Sequence, residues 1–413
     1  MREVKFSILK ALAVILVVVS HAGVPGWLNH VLFMVHVPAF FLCAGYFFNT
    51  RYLHDERTFV LHRVKGLYWP FLRWSVFFLI IHNLLFPMGL LSETYAHVHP
   101  FTWQQWGQHI WSVMFNMSGY DSCICGTFWF FRSLLLASVA YLLLFKVLSK
   151  SEKLRSERQV GWGILLLTLA LLVWKETCHL QVTGVANGGF RELMGLLFMA
   201  AGFLIRQYDL VSRITWKWAL PSFLFLVLAS VLFPASMAYN GTLHDALALP
   251  LPAVAAFFSL AYVSGVIEQR SAFLTRWLGY IGERTLYVFA FHLLAFKLVS
   301  ALEVGVCGLP WEAVGSHPVV QGADGVLGVL FVLLYVVVGV AVPLLWLEGY
   351  HMVASRITIS EKQLVGYAII GAKRVCHVCY MVARGFVLVV QGCIRSIVDG
   401  VKAIKDASSV KEE

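Results

Sequence analysis

Ten runs of about twenty apolar residues, joined by short polar connections, limit what this chain can become. They lie near 5–24, 31–50, 67–88, 127–148, 160–176, 190–205, 218–236, 247–267, 285–304 and 326–348. A helix of that length crosses the hydrocarbon core of a bilayer. Only helices and closed barrels satisfy every backbone N–H and C=O there. No run alternates with the period of a lipid-facing barrel strand. The predicted fold class is therefore all-α, a polytopic transmembrane helix bundle of about ten spans. Composition agrees. Of 413 residues, 59% are AVILMFWYC and only 13% are charged, too apolar for a soluble globule and the reverse of a disordered chain.

The net charge of +10 invites a nucleic-acid reading, and the positions of the charges oppose it. Arg51, Arg57, Arg63 and Lys65 share one connection. Lys146, Lys150, Lys153, Arg155 and Arg158 share another. Arg206, Arg213 and Lys217 share a third, and Arg270, Arg276 and Arg284 a fourth. The alternate connections, 89–125, 177–189, 237–246 and 305–325, hold no Lys or Arg. That is the positive-inside pattern. It puts both termini in the cytoplasm, and it makes the excess charge a matter of topology, with no nucleic-acid partner. Lys10 interrupts the first apolar run and no A-x-A-like site follows, so residues 1–24 read as a retained span.

Residues 1–348 form the transmembrane domain. Residues 349–413 read as a basic amphipathic cytoplasmic tail, with Arg374, Arg384 and Arg395 recurring at about three helical turns. The longest outer connection, 89–125, carries Trp103, Trp106 and Trp111 beside His97, His99 and His109. It reads as an interfacial helix with an aromatic belt, or as a sugar-binding platform. Cys123, Cys125, Cys178 and Cys307 lie at outer loops, where their disulfide status stays open. Cys376 and Cys379 have CxxC spacing without a second ligand pair, so no metal site is expected.

Ionisable groups inside the spans are costly and mark candidate sites. Lys10 and His21 are eleven residues apart, which puts them on one helix face about 16 Å apart along the axis. Together they offer a cation for an anionic ligand and, farther along, an acid/base group. The competing reading is a snorkelling lysine and a capping histidine. His36 precedes Pro38, which predicts a kink at Pro38 beside a polar pocket or a carbonyl-bound histidine. Arg132 follows Phe128-Trp129-Phe130-Phe131 and should face the bundle interior beside an anion, a carbonyl or a ligand. Arg191-Glu192 reads as pairing at an outer helix end. His292 and Lys297 are further intramembrane candidates. No H-E-x-x-H, GxSxG or P-loop occurs.

These segments together resemble the integral-membrane acyltransferase family three. Ile8-Leu9-Lys10-Ala11 to Ser20-His21 resembles its opening basic residue and histidine, with Lys in place of Arg as in the branch similar to fucose 4-O-acetylase. Phe33 to Tyr46 resembles its F-H-x-P-x-F-F-x-x-S-G-Y segment. Arg63 to Pro70 is similar to its basic run before a third span. Phe128 to Arg132 resembles its W-F-L-x-x-L segment, and Leu278 to His292 its late G-x-x-S/T…H segment. Ser7 stands where the family often has Asp, and Cys43-Ala44 replaces the Ser-containing turn.

The resemblance implies a transmembrane O-acyltransferase of the bacterial inner membrane. It would move an acetyl group from cytoplasmic acetyl-CoA to a sugar hydroxyl of a glycan or glycolipid, such as a lipopolysaccharide or polysaccharide precursor. Acetyl-CoA is then a substrate, with no permanently bound cofactor. Lys10, Arg63 and Lys65 would meet its phosphates. His21 would act as general base or acyl carrier, with His36 or Arg132 orienting it or steadying the oxyanion. Trp129 and His292 would contact substrate. The alternative class is a multi-span transporter or permease for a small polar or glycan-linked substrate. Its marks, inverted repeats with broken helix pairs, are not visible, and acidic residues are scarce within the spans.

Overall fold

The computed structural model describes residues 4–182, 185–239 and 241–356. Among them the chain is helical throughout, with no strand. In order the helices are α1 (Val4–His21), α2 (Gly26–Phe33), α3 (His36–Tyr46), α4 (Glu56–Arg63), α5 (Trp69–Leu85), α6 (Glu93–Ala96), α7 (Trp103–Asn116) and α8 (Trp129–Leu148). They continue as α9 (Glu157–Thr177), α10 (Phe190–Gln207), α11 (Trp216–Leu232), α12 (Leu243–Ala248), α13 (Pro250–Arg270), α14 (Ala272–Glu283), α15 (Thr285–Cys307) and α16 (Gly325–Arg356). Nine stretches among the described residues are long and apolar enough to cross a membrane, and α11 is a shorter apolar helix of 17 residues. These correspond to the ten runs of the sequence. The described helices through Leu347 form one compact unit. The tail predicted over 349–413, with Arg374, Arg384, Arg395 and the CxxC pair, lies outside the described residues apart from the last turns of α16.

Two spans depart from regular helix. The second breaks between α2 and α3, at Met34 and Val35, and not at Pro38. Pro38 is the third residue of α3, where backbone N–H groups have no intrahelical partner to lose. The third span passes from α4 to α5 through a π turn, Val64–Tyr68. Pro70 has no N–H to return to the preceding turn, and the wider turn absorbs that gap.

The α3–α10 contact brings backbone against backbone. A Cβ added at Gly202 would overlap the Leu42 carbonyl. The same holds at Gly282, which lies against the Ser7 carbonyl and seats α14 on α1. Small residues at helix crossings are how membrane bundles pack closely without a hydrophobic drive. The amphipathic α14 is a finding, since the connection 268–284 read only as a charged loop.

α7 runs alongside α5: the Trp106 Nε1–H donates to the Leu79 carbonyl at 3.0 Å, and the Tyr68 hydroxyl donates to the Met114 carbonyl at 2.7 Å. Its Trp103 and Trp111 are exposed. His82 and Asp121 form a buried pair at 2.6 Å, with Phe101 stacked 3.7 Å from the imidazole. Lys297 donates to the carbonyls of Val314 and Ser316. Glu303 accepts from the Gly322 and Ala323 N–H groups and from the Tyr335 hydroxyl, which ties α15 to α16.

Cys43, Cys123, Cys125, Cys178 and Cys307 are free thiols. Burial pushes Cys123 up to about 11 and raises Cys125 well above the ordinary thiol range. Both therefore stay protonated at pH 8, and only the thiolate is a nucleophile. Iodoacetamide at pH 8 should alkylate the exposed Cys178 at least about tenfold faster than Cys123 or Cys125, as read by peptide mass spectrometry. Equal rates would show that the segment around Cys123 is open to solvent.

Candidate functional site

Four helices present one polar-to-aromatic column to a shared interior. On α1 the column runs from Lys10 to His21. On α3 it is His36, Phe40, Cys43, Ala44 and Phe47, a spacing of three and four residues that keeps one face. On α8 it is Phe130 and Leu134. On α15 it is Thr285, Leu286, Phe289 and His292. Because α3 runs back toward the start of α1 while α15 runs with it, His36, His21 and His292 meet at the same end.

At the other end is a cavity of about 260 Å³. Lys10 and Arg63 are its cations, and Phe40, Cys43, Phe130, Thr285 and Phe289 contribute to its wall. Arg63 enters the wall where the π turn begins, with its guanidinium 5.1 Å from the Phe59 ring. None of the three histidines lines the cavity. Lys65 is exposed and does not line it either.

Above the cavity the three histidines share one bonding habit. His21 Nδ1 lies 2.8 Å from the Val17 carbonyl oxygen. His292 Nδ1 lies 3.1 and 3.0 Å from the Val288 and Phe289 carbonyls. His36 Nδ1 meets the Leu32 carbonyl, which the break between α2 and α3 leaves accessible. A carbonyl oxygen only accepts, so each Nδ1 carries the proton. In the neutral ring Nε2 is then a bare lone pair. The His21 and His292 rings meet edge to face with centroids 5.3 Å apart. His36 and His317 lie within electrostatic reach of His21. His292 is fully buried, and its Nε2 has no hydrogen-bond partner among the described residues.

Arg132 does face the interior, and its partner is Glu192 on α10. Arg132 Nε donates to Glu192 Oε1 at 3.1 Å, and the Ser133 hydroxyl donates to the same oxygen at 2.9 Å. Among the described residues, one guanidinium nitrogen of Arg132 and Glu192 Oε2 are buried without hydrogen-bond partners. Arg191 turns away from this pair. It donates to the carbonyls of Met237 and Ala238, and its guanidinium lies 4.3 Å from the Trp129 ring. Trp129 is thus a cation–π partner and not part of the cavity wall.

The sequence therefore identified the cationic end (Lys10, Arg63) and the three histidines that the structure brings together. It placed Arg132 inside but did not name Glu192 as its partner, and it did not single out Phe40, Phe130 or Phe289. Their signal was the spacing of His36 with Phe40 and of Phe289 with His292. Among the described residues no group of His, Cys, Asp and Glu is arranged to hold a metal ion. A cationic cavity leading toward unprotonated imidazole nitrogens suits an anionic donor whose reactive end must travel inward to a base. A sequence model of the family described as an acyltransferase domain matches residues 4–347. No curated protein and no solved structure matches the chain.

Proposed function

The chain belongs to the acyltransferase 3 family, and from that premise we propose that it moves an acetyl group from acetyl-CoA to a sugar hydroxyl. The observation that carries this reading is the Lys10–His21 face of α1. It joins a cationic cavity to an imidazole lone pair about 16 Å farther along the helix.

In this reading the alternating Lys and Arg connections put the Lys10 end in the cytoplasm, where CoA is found. Its phosphates dock at Lys10 and Arg63 through charge-assisted contacts, with Lys65 nearby at the surface. The pantetheine arm runs into the bundle toward His21. His21 Nε2 takes the proton of the acceptor hydroxyl, and the alkoxide oxygen attacks the thioester carbonyl. As the tetrahedral centre collapses, the carbon–sulfur bond breaks. The departing thiolate receives the proton from His21, leaving ester, CoA and neutral imidazole. An acetyl-imidazole formed on His21 is the two-step version of the same chemistry. The acceptor, a glycan or glycolipid of the bacterial inner membrane, enters from the His21 end.

The test is binding and turnover of radiolabelled acetyl-CoA by purified protein in lipid nanodiscs. Wild type should bind the donor and release CoA in the presence of membrane glycolipid extract. Lys10→Ala should weaken binding about 10- to 100-fold, as expected for one charged contact. Folded wild-type protein that neither binds nor turns over acetyl-CoA overturns the proposal.

A further inference from the structure

We infer that Phe40, Phe130 and Phe289 form an aromatic constriction that sets the size of the acyl group this protein transfers. The inference rests on the reading of the cavity as the acyl-CoA entrance.

Three observations lead to it. First, all three rings line the cavity at its inner end. Second, they are in mutual contact through Phe130. Its ring centroid lies 5.6 Å from Phe40 and 5.3 Å from Phe289, in tilted and edge-on geometry. Phe41 and Phe131 back the layer at 5.4 and 5.6 Å. Third, helix geometry puts the histidines directly beyond. His36 is four residues from Phe40 and His292 three from Phe289, so the layers are about 6 and 4.5 Å apart. In the proposed reading, a thioester moving from the cavity toward His21 Nε2 passes these rings.

The constriction is coupled to the site it guards. The Phe289 carbonyl accepts from His292 Nδ1 and from the Thr127 hydroxyl. The Phe289 backbone is therefore held by the polar layer, and opening falls to side-chain rotation. Phe130 is packed on two sides, while Phe40 is only half-buried. A slender pantetheine arm ending in two carbons passes with modest ring rotation. A longer or branched acyl group has to displace rings that a packed second row supports. A tight apolar pocket discriminates about 10- to 200-fold per methylene.

The experiment compares acetyl-, butyryl- and isobutyryl-CoA on wild type, Phe130→Ala and Phe289→Ala. The kcat/KM ratio of butyryl- to acetyl-CoA should rise about tenfold or more in the alanine variants. If truncation leaves too little folded protein by size-exclusion profile, Phe130→Leu and Phe289→Leu give the same readout with a smaller void. Wild-type turnover of acetyl-CoA with an unchanged ratio in every folded variant overturns the constriction and spares the acyltransferase reading. Absence of acetyl-CoA binding and turnover in folded wild type overturns the acyltransferase reading, and the acyl-size assignment with it.

Discussion

Replacing His21 with glutamine lowers kcat for acetyl transfer by about 10²- to 10⁴-fold while acetyl-CoA binding changes little. The split follows from the length of α1. In the proposed reading the donor phosphates dock at Lys10, three helical turns from the imidazole, so the binding contacts survive. What disappears is the lone pair at Nε2. Glutamine can hold the position and donate a hydrogen bond, but it cannot take a proton. Single-turnover kinetics with bound acetyl-CoA read the chemical step, and equilibrium dialysis reads binding in the same sample. Retained turnover would remove His21 from the chemistry and move attention to His36 or His292. Loss of both binding and turnover would mean that His21 holds the bundle together. Trapping labelled protein by acid quench separates the two routes, because only the two-step route leaves acetyl on wild-type His21.

The second large effect is on stability. Glu192→Ala removes the partner of a buried guanidinium, and uncompensated buried charge costs about 3–5 kcal/mol. Two features raise the cost here. Ser133 loses its acceptor along with Arg132. One Arg132 nitrogen already lacks a partner among the described residues, so the loss falls on a guanidinium that is already incompletely satisfied. Pairing Glu192→Met with Arg132→Met should restore most of the lost thermal stability, because apolar side chains of similar volume replace buried ion pairs well. Activity then separates two roles. If the double variant is stable and active, the pair is structural. A stable but inactive double variant assigns the unpaired Arg132 nitrogen to the developing oxyanion. Failure of the double variant to recover stability would show that the pair is not the isolated unit its distances describe.

Much of this architecture could be read from residue order because bilayer thickness acts on local stretches. Twenty apolar residues predict a span whatever surrounds them. The Lys10–His21 register needs only the helical repeat. Pairings between distant helices are different. Glu192 lies sixty residues from Arg132, and nothing local to either residue says that α8 meets α10 there. The kink expected at Pro38 shows the limit from another side. Proline disfavours a helix interior, but the chain had already broken at Met34 and Val35, so Pro38 fell in a first turn where it fits. Likewise Pro70 produced a π turn and not a helix end. Phe40, Phe130 and Phe289 looked like ordinary core because three separate runs each contain many aromatics. Only their convergence under the histidines distinguishes them.

The aromatic layer also has an electrical consequence. The bundle is open on one side through the cavity and on the other around the half-buried His21. A potential of 100 mV drives each elementary charge across with about 2.3 kcal/mol. A continuous water column between these openings, with imidazoles along it, would conduct protons. Three touching rings interrupt that column. If the chain hands an acetyl group from one compartment toward the other as proposed, this layer is what would keep the membrane an insulator while it does so.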